Sequence, residues 1–312
     1  MKIVIIGAGL AGLACAQALK QNGHTPTLFD KGRGLGGRMS TRRAQLSSGT
    51  VTFDHGAPFI AAQDAGFNAE LERWREEGLV APWPMEYGKA WVGTPTMNAP
   101  ITHLAKDHDI RLSSHVMGLL RDGTRWLVLL NDGSLHGPYD AAIIAVPAEQ
   151  AAAFLGMHDL VMASHTVAAR SKPRWTAMIA YADKMPISQD VICDCEPVAF
   201  AARNSAKPGR SDREAWVVHA NPEWSMTHLE SEPEPVANAL REWLGQQAGD
   251  AALPDCIHLT AHRWRYALPQ HSRLGALWNA GLRLGACGDW LLGPTVEDAW
   301  LSGRQLAQKI GT

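Results

Sequence analysis

The first 30 residues carry apolar positions in a pattern that predicts a strand, a helix and a second strand. Lys2–Ile6 is a short β-branched run, which is typical of a buried parallel strand. Residues 13–21 place alanine and leucine at helical spacing, and Gly23 is a typical helix stop. Thr25–Phe29 is a second apolar run, and it ends at Asp30. The pattern therefore predicts a β-α-β unit.

The middle of the chain predicts many strands and few helices. Apolar runs and alternation predict strands at 111–116, 126–131, 134–136, 139–146, 176–182, Val191–Cys195, 198–201, 215–219 and 257–264. Helical spacing occurs at 101–108 and at Pro233–Gln246. Asp132-Gly133 is typical of a hairpin turn. This composition favours a mainly antiparallel sheet in the second half of the chain.

Three glycines in the turn after the first strand have separate physical tasks. Gly7 permits a tight turn, Gly9 lets the backbone approach a pyrophosphate, and Gly12 lets the helix pack closely. The helix N-terminus, which includes Ala11, presents free N–H groups and a partial positive charge. Asp30 lies 18 residues after Gly12, where a carboxylate can accept hydrogen bonds from ribose hydroxyls. Together these features predict a dinucleotide site.

A second segment rich in glycine and arginine follows the second strand. It includes Lys31, Gly37, Arg38 and Met39. A nicotinamide-binding domain usually has no second glycine and arginine cluster here, whereas a loop beside the pyrophosphate of a larger cofactor suits one. Arg38 would supply a bidentate, permanently charged phosphate contact. A basic surface loop is the alternative interpretation.

These segments resemble the FAD domain of the amine-oxidase-like flavoproteins and, more narrowly, that of renalase and its bacterial relatives. The narrower similarity rests on Asp30-Lys31 and on the run from Gly36 to Thr41. Asp30 replaces the glutamate that is more frequent in the wider group. The resemblance implies non-covalently bound FAD.

The C-terminal region supports the same resemblance. A short predicted strand at 282–287 is followed by Gly288-Asp289 and by a helix for which Thr295 is a suitable N-cap. By resemblance, Gly288 and Asp289 would bind ribityl or pyrophosphate oxygens, and the helix start at Val296 and Glu297 would face the flavin ring. An ordinary strand and helix, with Asp289 as a turn residue, is the alternative.

Further site residues follow from the resemblance alone. His55, Gly56 and Ala57 would run past the flavin, and Val116 would touch the adenine through its backbone. His55 is the one catalytic candidate, for proton transfer, against the simpler interpretation of a structural histidine. The residues expected to neighbour the substrate are Pro58, Phe59, Trp91, Met97, Asn98, Trp264 and Arg265.

Composition and charge narrow the range of functions. The chain has 312 residues with a net charge of −2, which argues against a nucleic-acid partner. Five sparsely spaced cysteines suggest a reducing compartment, and we expect a cytoplasmic protein. The spacing Cys256-x-His258-x3-His262 resembles a zinc site, but no fourth ligand is evident, so we expect no metal. No apolar run is long enough for a membrane span, so we expect no membrane partner.

The sequence thus predicts an α/β fold: a Rossmann-like FAD-binding domain of the amine-oxidase type with an inserted, mixed and mainly antiparallel β-sheet substrate domain. The FAD domain is expected at 1–56, 96–160 and 271–312, and the substrate domain at 57–95 and 161–270. The resemblance implies an oxidase that converts 2- and 6-dihydro isomers of NAD(P)H to NAD(P)⁺, with O₂ reduced to H₂O₂. The partners would then be a small dinucleotide and O₂. A flavin amine oxidase and a non-catalytic flavin-binding redox protein are the alternatives.

Overall fold

The computed structural model describes residues 1–47, 49–85 and 88–311. The strands in chain order are β1 Lys2–Ile6, β2 Thr25–Phe29, β3 Arg42–Leu46, β4 Gly49–Phe53, β5 Val80–Met85, β6 Gly88–Gly93, β7 Asp109–Arg111, β8 Val116–Asp122, β9 Arg125–Leu130, β10 Leu135–Tyr139, β11 Ala141–Ile144, β12 Ser171–Tyr181, β13 Val191–Cys195, β14 Val198–Arg203, β15 Ala215–Ala220, β16 Cys256–Pro269, β17 Leu277–Asn279 and β18 Leu284–Ala286. The helices are α1 Leu10–Gln21, α2 Ala65–Glu76, α3 Ala99–Ala105, α4 Ala148–Gly156, α5 Leu160–Ala168, α6 Pro222–Thr227, α7 Pro233–Gln246 and α8 Val296–Gly311.

A six-stranded sheet forms the first half of the architecture. Its strand order is β17-β18-β11-β1-β2-β7, and every neighbouring pair is parallel except β17 with β18. The strands β1 and β11 are buried along almost their whole length, as expected for parallel strands covered on both faces. Because the strands β1, β2, β11 and β18 are parallel, their carboxyl ends meet at one edge of the sheet.

Helices α1 and α8 lie against each other beside this sheet. A Cβ atom at Gly303 of α8 would stand 2.2 Å from the carbonyl oxygen of Ala11. Only glycine permits this approach, so the backbones of α8 and α1 are in direct contact at this point.

A five-stranded antiparallel sheet, in the order β13-β14-β15-β12-β16, forms the second half. One face packs against α7, where Trp216 and Leu240 share an apolar cluster. The opposite face packs Met178 and Val217 against Phe53 of the β3-β4 hairpin. This opposite face of the five-stranded sheet therefore faces the six-stranded sheet and its loops.

The predicted fold class is confirmed, including the mainly antiparallel character of the second sheet. The predicted helix Pro233–Gln246 is confirmed at both ends, and the strands predicted at 126–131 and 134–136 belong to the three-stranded sheet β10-β9-β8. The predicted strand at 111–116 is wrong. The backbone N–H groups of Ser113 and Ser114 donate to the carbonyl oxygens of Gly32 and Asp30, which ends β7 and separates it from β8.

Residues 57–95 do not extend the five-stranded sheet. The helix α2 and the β5-β6 hairpin contribute Phe67, Trp74 and Val92 to the apolar cluster that also holds Ile3 and Leu13. The domain boundaries stay a prediction, but this segment packs on the first sheet.

Candidate functional site

The glycine-rich turn lies at the carboxyl edge of the parallel sheet. Gly7 has a φ of +107°, its N–H donates to the carbonyl oxygen of Phe29 at 2.8 Å, and a Cβ there would stand 2.3 Å from the carbonyl oxygen of Ala145. A Cβ at Gly12 would stand 2.1 Å from the carbonyl oxygen of Gly7. Both glycines are therefore required by the protein itself, for the tight turn and the close packing that the sequence predicts.

Gly9 differs from its two neighbours in the motif. It has ordinary extended backbone angles, and a Cβ there would have no described atom within 4 Å. Nothing in the described protein explains why this position is glycine. An open space in front of the backbone is what a close ligand would require.

The N-terminus of α1 is uncapped by any side chain. Gly9 is the N-cap residue, and the first turn carries no acidic side chain. The first N–H groups of a helix have no intrahelical partner, and together with the helix dipole they attract an anion. The start of α1 is therefore equipped to hold a phosphate group.

Asp30 fixes the shape of this edge. One carboxylate oxygen accepts from the N–H of Ala8 at 2.8 Å, and the other accepts from the N–H of Gly32 at 2.7 Å. An ionised carboxylate has about four acceptor positions, so two stay available for hydroxyl donors. Asp30 can position the glycine turn and bind a ribose at the same time.

The second glycine segment lies across the first. A Cβ at Gly37 would stand 3.6 Å from the Cα atom of Gly9, so the two glycines face each other. Next to it, the Arg38 guanidinium donates to Asp289 at 2.6 Å and to the carbonyl oxygen of Ala267 at 3.2 Å. The motifs near the two ends of the chain, 251 positions apart, thus meet in one ion pair.

The segment after β4 packs under the second glycine segment. A Cβ at Gly56 would stand 1.9 Å from the carbonyl oxygen of Arg38, and the Ala57 N–H donates to the same oxygen at 2.7 Å. Of the other predicted cofactor residues, Lys31 is exposed and Met39 is buried in the core. Val116 is buried at the first position of β8.

The start of α8 is capped as the sequence predicts. The Thr295 hydroxyl accepts from the N–H of Asp298, and the Asp298 carboxylate accepts from the N–H of Thr295, each at 3.1 Å. The Glu297 carboxylate does not point to an open site, because it accepts from the N–H groups of Gln63 and Asp64 at 2.7 and 2.9 Å. Only the backbone of Val296 and Glu297 is free to face a ligand.

The buried His55 and the half-buried Trp264 belong to one aromatic cluster. The Trp264 indole N–H donates to the carbonyl oxygen of His55 at 2.8 Å, and the two rings lie 5.1 Å apart. The His262 ring lies 5.1 Å from that of His55 and 4.5 Å from that of Trp264. The Nδ1 atom of His55 is buried and has no hydrogen-bond partner among the described residues.

The histidines of this cluster are neutral at pH 7. Burial, followed by the nearby charges of His262 and Arg42, lowers the pKa of His55 to about 4. Burial and the charge of Arg42 lower the pKa of His262 to about 4 as well. A neutral imidazole of such low pKa is a weak proton acceptor, so the cluster is better suited to shaping an aromatic pocket than to removing protons.

The structure brings some of the predicted substrate residues together and separates others. The Phe59 ring lies 5.8 Å from that of Phe200 on β14, and Trp91 is half-buried in the β6 strand. Met97 is fully buried in the core. Asn98 is the N-cap residue of α3, where its side chain accepts from the Thr96 hydroxyl at 2.8 Å.

Arg265 does not lie with Trp264. Neighbouring residues on a strand point to opposite faces, and the Arg265 guanidinium donates to both carboxylate oxygens of Glu230 at 2.7 and 2.8 Å on the exposed side. The interpretation of Trp264 and Arg265 as one joint substrate contact is therefore not supported by their positions.

The sequence did not reveal a buried ion cluster beneath this site. Asp54 accepts from the ammonium of Lys207 at 3.3 Å, from the guanidinium of Arg210 at 2.5 Å and from the N–H of Met97 at 3.1 Å. All three charged side chains are buried. Burial alone would raise the pKa of Asp54, but the two cations lower it to about 2.

The sequence predicts a polar hairpin or loop for the basic segment 207–213, with a phosphate site as the alternative. In the structure Lys207 and Arg210 turn inward and their charges are paired with that of Asp54. The only feature of the sequence that draws attention to Asp54 is that it directly precedes His55, a predicted site residue. Nothing in the sequence pairs it with residues more than 150 positions away.

Cys256, His258 and His262 cannot share one metal ion. They lie on the extended strand β16, where four residues span about 13 Å. His258 stacks on Phe53, and His262 contacts His55. Within 1–47, 49–85 and 88–311, no group of three or more His, Cys, Asp or Glu side chains is arranged to hold a metal. In the same ranges, no helix has both the length and the apolar character needed to cross a bilayer.

Comparisons with known proteins agree with this geometry. Residues 5–73 match the family described as NAD(P)-binding Rossmann-like domain. A segment of 64 residues is 42% identical to the 4,4'-diapophytoene desaturase (4,4'-diaponeurosporene-forming) of Staphylococcus aureus strain Newman. That segment is 20% of this chain and 12% of the desaturase, so the sequence similarity is limited to a small part of both proteins.

Solved structures share the fold over the whole chain. A candidate protoporphyrinogen oxidase from Exiguobacterium sp. 255-15 superposes with a TM-score of 0.77, covering 99% of this chain and 98% of its own at 12% identity. A double mutant of putrescine oxidase, made in a redesign of cofactor binding, gives a TM-score of 0.69 with the same coverage at 13% identity. The chain therefore shares its fold with these two proteins over 99% of its length.

Proposed function

We propose that this chain is an FAD-dependent oxidoreductase. The observation that carries the proposal is the single ion pair between Arg38 and Asp289, which joins two separate motifs at the carboxyl edge of a parallel sheet. A βαβ unit alone serves many nucleotides, whereas the added Gly37-Arg38 segment and the distant Gly288-Asp289 segment suit a longer cofactor. The likeness in fold to a putrescine oxidase and a candidate protoporphyrinogen oxidase supports the same class.

The residues at this edge fit FAD. No described atom lies within 4 Å of a Cβ placed at Gly9, and the start of α1 is uncapped, which together suit a pyrophosphate. Asp30 keeps acceptor positions for a ribose, and Arg38 with Asp289 would bind phosphate and hydroxyl oxygens. When bound, FAD would supply a ring that accepts hydride from a donor.

We further propose that the donor is a dihydronicotinamide dinucleotide, in its 2- or 6-dihydro form. Such a donor loses hydride and becomes an aromatic cation, so no side chain needs to remove a proton from it. The neutral His55 and His262, each with a pKa of about 4, suit this reaction. Overall, the donor and O₂ with one proton would give NAD(P)⁺ and H₂O₂.

Anaerobic stopped-flow of the purified, FAD-loaded protein tests this proposal. We expect fast loss of the oxidised-flavin absorbance with the 2- and 6-dihydro isomers and slow loss with ordinary 4-dihydro NAD(P)H. Fast reduction by a primary amine such as putrescine, with no reaction of the isomers, would instead indicate an amine oxidase. Stoichiometric FAD that no donor reduces would indicate a non-catalytic redox protein, and a protein that binds no FAD would refute the whole proposal.

A further inference from the structure

Arg174 is a half-buried cation that the described residues leave without a partner. It lies on β12, the fourth strand in the order of the five-stranded sheet, and its side chain forms no hydrogen bond or ion pair with any described residue. Its Nε atom is fully shielded from solvent. Burial lowers the pKa of the guanidinium, and no carboxylate acts in the opposite direction.

Arg174 faces the site rather than the helical side of the sheet. In the sheet, Arg174 is aligned with Trp264 of β16, while Thr176 is aligned with His219 of β15 and with His262 of β16. Residues two apart on a strand share a face, so Arg174 lies on the face that carries His262 and Trp264 toward His55. Burial lowers the pKa of His219, and the positive charge of Arg174 lowers it further, as expected for two groups on the same face of the sheet.

Among the described residues, no carboxylate perturbs the pKa of Arg174. His55, His219 and His262 are neutral at pH 7, since each has a lowered pKa. Asp54 is held by Lys207 and Arg210. Arginine presents a planar set of donors that matches an oxyanion, and the half-buried Arg174 has no described partner that already uses these donors.

We infer that Arg174 binds an anionic group of the substrate, a phosphate or a carboxylate, and so sets specificity for negatively charged donors. This inference rests on the proposed function for the identity of the donor. It also predicts discrimination against amines, because an ammonium group beside Arg174 would be repelled by the charge of the guanidinium.

Direct anion binding gives the first test. The FAD-loaded protein is titrated separately with inorganic phosphate and with acetate, and thermal stability and tryptophan fluorescence are followed, since Trp264 is aligned with Arg174. We expect one of the two anions to bind wild-type protein and to bind Arg174→Gln at least about tenfold more weakly, as the loss of a charged hydrogen bond requires. The matched control is Lys172→Gln, which removes an exposed cation from the same strand, where Lys172 pairs with Glu223. A response that is equal in wild type and Arg174→Gln, or absent from wild type, would overturn the inference.

Stability without a ligand gives the second test. Because Arg174 has no partner to lose, Arg174→Met should leave the free energy of unfolding unchanged or raise it. Arg203→Met is the contrast, since Arg203 is buried against Glu214 and Asp190 and its loss should destabilise. A strong destabilisation by Arg174→Met would show that Arg174 is structural.

The donor supplies the third test and separates this inference from the proposed function. Dihydronicotinamide mononucleotide isomers carry a phosphate that the riboside isomers lack. We expect wild type to prefer the mononucleotide in kcat/KM by about tenfold or more, and Arg174→Gln to lose that preference. If neither donor reacts, the stopped-flow experiment with the dinucleotide isomers still decides the proposed function, and the anion titration still decides the role of Arg174. If both react equally in wild type, the substrate role of Arg174 is refuted and the proposed function stands.

Discussion

Two histidines with lowered pKa values lead us to expect that the stability of this protein falls in acid. His55 and His262 have pKa values of about 4, against 6.5 in an unfolded chain, so between these values the unfolded state binds more protons than the folded state. Their contribution to stability is complete above pH 6.5 and is lost as the pH falls toward 4. For His55 the slope is up to about 1.4 kcal/mol for each pH unit.

Urea unfolding between pH 7.5 and 4.5 measures this slope. We expect His55→Asn to flatten the fall in unfolding free energy, while the exposed His115→Gln leaves it unchanged. An identical slope in wild type and His55→Asn would show that His55 is not the group responsible.

The Arg38–Asp289 contact gives a second prediction at the residue scale. Asp289→Ala removes an almost buried carboxylate that binds Arg38, and with it an acceptor for the proposed cofactor. We expect the Kd for FAD, measured by quenching of its fluorescence, to rise by at least about tenfold. The surface variant Glu223→Gln, which breaks an exposed pair, serves as the control. Unchanged FAD affinity in Asp289→Ala would contradict the assignment.

Single residues also mark the limit of what the sequence could reveal. Gly7, Gly12 and Thr295 have the roles that local spacing predicts, because turns and caps depend on near neighbours. Arg174 and Asp54 could not be found in this way. Their meaning depends on which charges lie near them in space, and those residues are far away along the chain.

At the scale of elements, the glycine turn and the start of α1 permit a contrast between two similar substitutions. Gly12→Ala would force a Cβ to 2.1 Å from a backbone oxygen, whereas Gly9→Ala meets no described atom. We expect Gly12→Ala to lower the thermal stability of the FAD-free protein and Gly9→Ala to leave it within about 1 kcal/mol of wild type.

Although Gly12→Ala and Gly9→Ala should differ in thermal stability, we expect neither variant to bind FAD. In Gly9→Ala the new methyl group occupies the space that the proposed pyrophosphate needs. Calorimetry without FAD and equilibrium binding of FAD distinguish the two effects. Normal FAD binding by Gly9→Ala would show that this space has another purpose.

Elements with a strong local pattern were predictable, and elements interrupted by distant contacts were not. The helix α7 carries regular apolar spacing and was predicted with its bounds. The expected strand at 111–116 fails because its backbone groups bond to the loop after β2 instead of continuing a sheet. A local sequence pattern does not show that these backbone groups have hydrogen-bond partners elsewhere in the chain.

At the scale of the whole molecule, the ion cluster of Asp54, Lys207 and Arg210 joins the loop after β4 to the second sheet. Asp54→Asn would leave two buried cations without a counter-charge. We expect a loss of about 3–5 kcal/mol in the free energy of unfolding, against about 0–1 kcal/mol for the exposed pair broken by Glu223→Gln. Urea unfolding of both variants checks this, and a loss in Asp54→Asn no larger than in Glu223→Gln would show that the cluster adds little.

The arrangement of the two sheets was predictable only as a class. The alternation of strands and helices indicates one parallel and one antiparallel sheet. Contacts between distant residues decide which face of the second sheet is turned to the glycine turn. One of them joins Trp264 to His55, 209 positions apart.

Because α8 packs on α1 and Asp289 contacts Arg38, the parts of this site are synthesised far apart in time. The N-terminal glycine turn leaves the ribosome first, but its partner residues near 289 and its supporting helix near Gly303 leave more than 250 residues later. A nascent chain therefore carries an incomplete nucleotide site until α8 has been made. If this site binds FAD, cofactor capture has to follow release of α8 and of β17 and β18, which complete the first sheet shortly before it.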